Sequence, residues 1–286
     1  MKKERDYLLD SSLISTTFLQ IESTKKLYNM KVVYCNDYIQ LYTFSDDKFH
    51  KNKDFDDEKK LNILNIDTDN LKTNNKPNNN EIKEIEIKNI MRSKLQCQRL
   101  AKCNSNIWET FITLTFEENV TDIKHANKEF NKFISKIRRV YKDFKYICVP
   151  EFQKRGAIHY HLLTNISVNN DKLIYKQIDN KKFLHIKYWN NGFTKVDNIK
   201  NDIKKIIGYI SKYMTKDIDE RLFGKHRYFY SQNLDKPQIS YLDLSNQKHC
   251  EFLVNILNDK KLIYDNKYID DFYNNEIFFE EYFKCQ

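Results

Sequence analysis

The chain has 286 residues, 40% of them apolar and 31% charged. That length suggests one main domain with additions, and the 19 Tyr and 19 Phe offset the modest apolar share, because aromatic rings bury large areas. The formal net charge is +9, but residues 91–230 carry 28 Lys+Arg against 14 Asp+Glu, while the segments before and after carry −1 and −4. A positive field concentrated in this way suits a polyanion, since phosphate contacts release counterions. Six cysteines without a CxxC pair give neither a disulfide framework nor a zinc knuckle. The N-terminal MKKERDYLLD lacks a signal-peptide apolar stretch, and no apolar run reaches membrane-spanning length. A cytoplasmic protein with no membrane partner is therefore expected. No two of the four glycines (Gly156, Gly192, Gly208, Gly224) are five apart, which excludes a Walker A loop, and with it an ATP-driven motor, from this chain.

In chain order, residues 31–44 read as a hairpin turned at Asn36-Asp37. Residues 46–80 end in KTNNKPNNN and hold too little apolar surface to pack, so they read as a loop or linker. Ile82, Ile85, Ile90, Leu95 and Leu100 recur at helical spacing, with Arg92, Lys94, Arg99 and Lys102 among them. FITLTF at 111–116 has a strand period, and 122–141 returns to helical spacing with Ala126, Phe130, Phe133, Ile134 and Ile137 on one face. Residues 145–152 and 157–164 are two strands joined by a tight turn, and a short polar insertion follows. Then come a strand at 192–199, a helix at 202–216 and an edge strand at 226–231. The Phe/Tyr-rich tail from 249 is expected to pack as helices.

This order predicts an α+β fold with a central antiparallel β-sheet and helices packed on it. The boundaries expected are an N-terminal hairpin region at 1–45, an Asn/Asp/Lys-rich linker at 46–80, the main domain at 81–240 and a helical C-terminal extension at 241–286.

The chemistry concentrates in VPEFQKRGAIHYHLLT at 149–164. His159 and His161 are two apart on a strand, so both imidazoles point to one face. An HxH pair alone is weakly specific; the turn strengthens it. A three-residue loop favours a left-handed last residue, usually Gly, and Lys154-Arg155-Gly156 fits. That register sets Glu151 across from His159 on the same face, whereas a two-residue loop would turn it away. Two histidines and a carboxylate with open positions suit Mg²⁺ or Mn²⁺. In GYISKYM at 208–214, Tyr209 and Tyr213 are four apart and share a helix face beside Lys212. Other tyrosine pairs here have the same spacing, so position and the intervening Lys set this pair apart. A phosphate-binding surface is expected along Arg92, Arg99, Lys204, Lys205 and Lys212, in the basic middle.

FITLTF at 111–116, EFQKRGAIHYH at 151–161, WNNGF at 189–193 and YISKY at 209–213 occur together and in order. Over roughly residues 90–240 the chain resembles the HUH endonucleases, in particular two-tyrosine rolling-circle replication initiators of small phages and plasmids. HRYFYSQNLDKP at 226–237 also resembles a segment that follows the tyrosine helix in such initiators. The resemblance implies that His159 and His161 bind the metal, with Glu151 as the third polar ligand. Tyr209 matches the nucleophile of the YxxK pattern, Lys212 its lysine and Tyr213 the second tyrosine. Tyr160, between the histidines, replaces an aliphatic residue; it faces the other side of the strand and can pack in the core. Single-stranded origin DNA is the implied substrate, with a host helicase and polymerase as partners. A relaxase or single-strand transposase shares this chemistry, and a non-enzymatic nucleic-acid binder would explain the charge alone. A metallo-β-lactamase-type hydrolase needs HxHxDH, but Leu162-Leu163-Thr164 follow His161.

Overall fold

Every residue of Ile158–Thr164 is buried, and so is every residue of Tyr146–Phe152. Strands buried on both faces must lie inside a sheet covered on both sides, and that is their setting in the computed structural model. It describes residues 27–49, 79–153, 155–178, 181–200, 207–208, 210, 212–214, 220–270 and 275–285. The chain divides into two compact units, Met1–Asn75 with Pro237–Gln286, and Lys76–Lys236.

The second unit holds a five-stranded antiparallel sheet in the order β8-β3-β5-β4-β9. Its strands are β3 (Thr110–Thr115), β4 (Tyr146–Phe152), β5 (Ile158–Thr164), β8 (Thr194–Asn198) and β9 (Phe229–Tyr230). Alternate residues feed two cores. On one face Ile158, Tyr160 and Leu162 pack with helix α2 (Ile123–Val140); on the other, Ile147, Val149 and Leu163 pack with helix α1 (Asn79–Cys103) and with Ile207, Ile210 and Met214.

Helix α2 begins where the Asp122 side chain accepts from the Lys124 N–H, and it ends at Tyr141. Its inward face is Ile123, Ala126, Phe130, Phe133, Ile134 and Ile137, each larger residue contributing roughly 1.5–3 kcal/mol by burial. Phe130 stacks on Tyr160 with ring centroids 4.6 Å apart. Burial pushes the Tyr160 phenol pKa up, and its hydroxyl donates to Asn127 Oδ1 at 2.7 Å. The tyrosine between the two histidines thus belongs to the core, as its place on the strand predicts. In α1, Ile90 and Leu100 are buried while Ile82 and Ile85 remain exposed.

The WNNGF segment acquires a physical reason. Trp189 Nε1 donates to Thr115 O, while the amides of Thr115 and Glu117 donate to the carbonyls of Phe193 and Asn191. A Cβ on Gly192 would lie 2.3 Å from the Glu117 nitrogen, and its φ is +149°. Only glycine lets the backbone come this close.

Two features depart from the sequence reading, and a third lies largely outside the described residues. The polar insertion contains a hairpin, β6 (Leu173–Ile178) and β7 (Lys181–Ile186), whose Leu173 and Ile186 reach the α2-side core. The helix expected at 202–216 is described only in part: Ile207, Gly208, Ile210 and Lys212 are helical, and Tyr213 and Met214 already lie in a turn. The tail from 249 is a helix only in α3 (Gln247–Leu257); beyond it come two strands, β11 (Lys260–Asp270) and β12 (Asn275–Lys284).

Those strands complete the first unit. The hairpin β1 (Leu27–Cys35) and β2 (Tyr38–Phe49) turns at Asn36, whose φ is 55°. It joins β10 (Gln238–Leu242) and the tail in a five-stranded antiparallel sheet ordered β10-β1-β2-β12-β11. Strand β2 runs into the segment expected as linker as far as Phe49; the rest of that segment, up to 78, lies outside the described residues. Met30, Val32, Ile39, Leu41 and Leu242 pack against Phe252 and Ile256 of α3. The tail departs from expectation because its strand partners lie on the N-terminal hairpin, far away in sequence, and a run such as NEIFFEEYFK satisfies either period over a short window. The whole is α+β with antiparallel sheets. Among the described residues, no helix is long and apolar enough to cross a membrane.

Candidate metal centre

The β4–β5 hairpin closes as the turn chemistry predicts. Gly156 adopts φ +88°, its N–H donates to Gln153 O at 2.7 Å, and Gln153 N–H donates to Ala157 O at 2.8 Å. The resulting register sets Glu151 opposite His159 and Phe152 opposite Ile158. Glu151, His159 and His161 therefore share one face, with candidate ligand atoms all within 4.8 Å of one another. All three are buried, at 8%, 9% and 4% exposed.

His161 Nε2 lies 2.7 Å from Glu151 Oε2. Neighbouring ligands around an ion with bonds of about 2.1 Å in octahedral geometry lie about 3 Å apart, so the spacing suits a shared cation as well as a hydrogen bond. Thr113 Oγ1, from the adjacent strand, sits 3.2 Å from His161 Nδ1. Accepting a proton there leaves the Nε2 lone pair on the side of Glu151. Gln153 Nε2 is 3.3 Å from His159 Nδ1. A ligating His159 Nε2 needs its proton on Nδ1, and so needs the Gln153 amide turned to present its oxygen. Two imidazole nitrogens and a carboxylate of this spacing can hold a divalent cation, and the buried setting raises the strength of its charge.

Tyr213 lies flat on His161, with ring centroids 3.7 Å apart and planes 14° from parallel. Phe111 flanks the same imidazole at 5.9 Å. Tyr213 is thus brought to the histidines. Lys212 is exposed beside it. Tyr209, Lys204 and Lys205 lie outside the described residues.

Of the expected phosphate surface, Arg92 is half-buried. Arg99 departs from it at 3% exposed, because the 97–101 turn of α1 faces the core with Cys97, Leu100 and Ala101. Thr113, Gln153 and Phe111 were not foreseen as neighbours of the site. The alternation in FITLTF carried a usable signal, since Thr113 falls opposite His161 once the strands pair.

Residues 109–218 match a family model described as a replication-associated protein of the ORF2 kind. That span contains the histidines, Glu151 and the tyrosine segment. Over 130 residues the chain is 31% identical to the "Phasyl DNA replicon protein arp" of Escherichia coli, covering 39% of this chain and 44% of that protein. The chain thus spans less than half the length of this curated relative. A crystal structure of the hypothetical protein ORF119 from Sulfolobus islandicus rod-shaped virus 1 aligns at 21% identity, over 47% of this chain and 95% of that one, with a TM-score of 0.26. A likeness that slight carries no argument. The family match and the Escherichia coli relative together support a replication-associated protein of the phage or plasmid type.

Proposed function

We propose that this protein initiates rolling-circle replication by nicking single-stranded origin DNA through tyrosine transesterification, as an HUH endonuclease of the two-tyrosine type. The observation that carries the reading is the cluster of Glu151, His159 and His161 with the Tyr213 ring stacked on His161. A pair of buried histidines alone is compatible with simple packing; with a tyrosine against them and a carboxylate beside them, phosphoryl transfer is the chemistry that uses all of them.

The three ligands would hold Mg²⁺ or Mn²⁺, which when bound polarises a phosphodiester and offsets charge developing on it. Attack by the Tyr209 phenol forms an O–P bond to the 5′ side and breaks the P–O3′ bond. The phenol proton leaves to solvent, and the 3′ oxygen takes up a proton. Lys212 stands ready to steady the phosphate. The phosphotyrosine ester keeps the energy of the broken bond, so a later attack by a 3′-hydroxyl can rejoin the strand. Tyr213 serves the second transfer, while Tyr209 is still occupied by the first 5′ end. A host helicase and polymerase would unwind and copy the template.

Incubating the full chain with single-stranded origin DNA and Mn²⁺, then mapping the covalent adduct by mass spectrometry, tests this. An adduct on Tyr209 in wild type, moving to Tyr213 in Tyr209→Phe, is the expected result. DNA binding without any adduct would leave a non-enzymatic binder. A relaxase or single-strand transposase shares this chemistry and would also give the adduct.

A further inference from the structure

Helix α2 carries a charge pattern that its own stability does not call for. Between Ile123 and Val140 it has six basic residues and one acid, Glu129. The longer α1 has six and three, and α3 has one and one. Exposed helix faces usually interleave both signs, with acids near the N-terminus, where they complement the helix dipole. α2 has no acid in its first turn and places Lys124 there instead. Lys124, Lys128, Lys132 and Lys136 follow one another at intervals of four, so each neighbouring pair sets like charges side by side. Glu129 relieves only one of them: it accepts from Lys132 Nζ at 2.6 Å, and otherwise from Asn191 Nδ2 at 3.4 Å. Lys124, Lys128, Lys136 and Arg139 have no acidic partner among the described residues. The buried side of the helix, from Ile123 to Ile137, anchors it against this repulsion.

The four lysines are exposed and span about 18 Å of helix axis. Asn131 and Ser135 add an amide and a hydroxyl to the same surface. One strand of duplex DNA places about five phosphates along such a length. No Phe, Tyr or Trp lies on the outward face of α2, since Phe130 and Phe133 are buried. Single-strand sites join a basic groove to aromatic platforms on which bases stack, whereas a duplex backbone needs only partners for its phosphates. The chain itself offers no acidic counterweight. Residues 1–26 hold five basic and four acidic side chains, and residues 50–78 hold six and six. The surface is also separate from the candidate metal centre. Ile158, Tyr160 and Leu162 of β5 point toward α2, and His159 and His161 alternate to the other face.

We propose that the outer face of α2 is a second nucleic-acid surface, which grips the phosphate backbone of duplex DNA on the side of the sheet away from the metal centre. The proposal takes its ligand from the replication reading above but does not depend on nicking. Phosphate contacts fix position without reading bases, so this surface holds duplex of any sequence.

Binding is measured with the full chain in EDTA, so that the result does not depend on cleavage. The probes are a duplex of about 20 bp and a single strand of the same length. Lys124→Gln, Lys128→Gln and Lys136→Gln combined should lower the duplex slope of log affinity against log salt by about 3 and duplex affinity about tenfold or more. Single-strand affinity should change less than about threefold. Removing the same charge elsewhere, with Lys236→Gln, Lys248→Gln and Lys261→Gln, all exposed, should leave the duplex slope unchanged. Asn131→Lys with Ser135→Lys should steepen it by about 2, a gain that a folding defect cannot produce. The thermal midpoint of the α2 triple variant should equal or exceed that of wild type, because like-charge repulsion is removed. Equal losses from the two triple variants would reduce the effect to net charge and overturn the proposal. So would equal losses for duplex and single strand, or an unchanged duplex slope. Lost binding to phosphatidylcholine–phosphatidylserine vesicles with duplex binding intact would make the face a lipid surface instead. An absent covalent adduct alongside the expected slopes would remove the nicking reading and keep this one.

Discussion

Strands β5 and β11 occupy opposite extremes of one architecture. All seven residues of β5 are buried, whereas residues 261–269 of β11 are all exposed. β5 has a neighbour on each side and a core on each face, so its side chains point where the ladder dictates. Fixed direction is what a ligand set requires, and both histidines stand on this strand. Among the described residues β11 pairs with one strand, β12, and none of its residues belongs to a described core. The same backbone chemistry yields a rigid mount in the middle of one sheet and an exposed outer strand in the other.

Mutations can test that contrast, beginning with the largest effect. His161→Ala should lower nicking by about 10³-fold or more, while salt-sensitive DNA binding stays, because affinity comes from phosphate contacts. Full nicking by that variant in the presence of EDTA would dismiss the metal reading. Truncation of the β5 layer should be nearly as severe for stability. Phe130→Ala removes the ring stacked on Tyr160 and should cost about 3–5 kcal/mol. Ile263→Ala on β11 should change stability by no more than about 0.5 kcal/mol. Equal losses in denaturant titrations would erase the distinction between the buried and the exposed strand.

The next effect depends on pH. Burial pushes the Cys97 thiol pKa from 9.0 up to about 12. The folded state keeps this proton where the unfolded chain has released it. The stability it contributes is full below pH 9 and is lost as pH rises toward 12. Denaturant midpoints should fall across that window, and Cys97→Ala should flatten the fall. A midpoint constant from about pH 9 to 11 would contradict it. The smallest effect concerns DNA affinity. Lys124, Lys128, Lys132, Lys136 and Arg139 line one outer surface of α2 with Asn127 and Asn131, on the side of the sheet away from the histidines. Neutralising Lys128 and Lys136 together should reduce the slope of log affinity against log salt by about 2 if this face meets phosphates. An unchanged slope would assign the lysines to solvent.

How much of this was legible follows from where each contact lies along the chain. The β4–β5 hairpin and its register were readable because the deciding residue, Gly156, sits inside the turn it controls. Helix α2 was readable because its buried face repeats within 18 residues. The β6–β7 hairpin was hidden because Lys176, Lys181 and Lys182 interrupt two short apolar runs, Leu173–Tyr175 and Phe183–Ile186, and break the strand period. The tail strands were hidden because β12 pairs with β2, and no local window contains both. Arg99 was misplaced for a related reason: spacing tells which residues share a helix face, but not which face a basic helix turns inward. The stacking of Tyr213 on His161 was not foreseen, since a ring contact between distant segments leaves no trace in spacing; family likeness implied only that Tyr213 is the second tyrosine.

The pairing of the chain's two ends also sets a schedule for synthesis. Strands β1 and β2 emerge from the ribosome early, but β2 ends at Phe49 and its later sheet-mates begin only at Gln238. At translation rates of about 5–20 residues per second, the hairpin waits on the order of 10–40 s for them. During that interval the whole Lys76–Lys236 unit can emerge and fold from contacts internal to itself. Until then the hairpin lacks the strands β10 and β12 that pair with its edges and the helix α3 that covers Val32 and Leu41 in the folded unit. Ribosomes spaced closely on one message would bring such waiting hairpins near one another. Slower codons between the two segments would lengthen the exposure, and faster ones would shorten it.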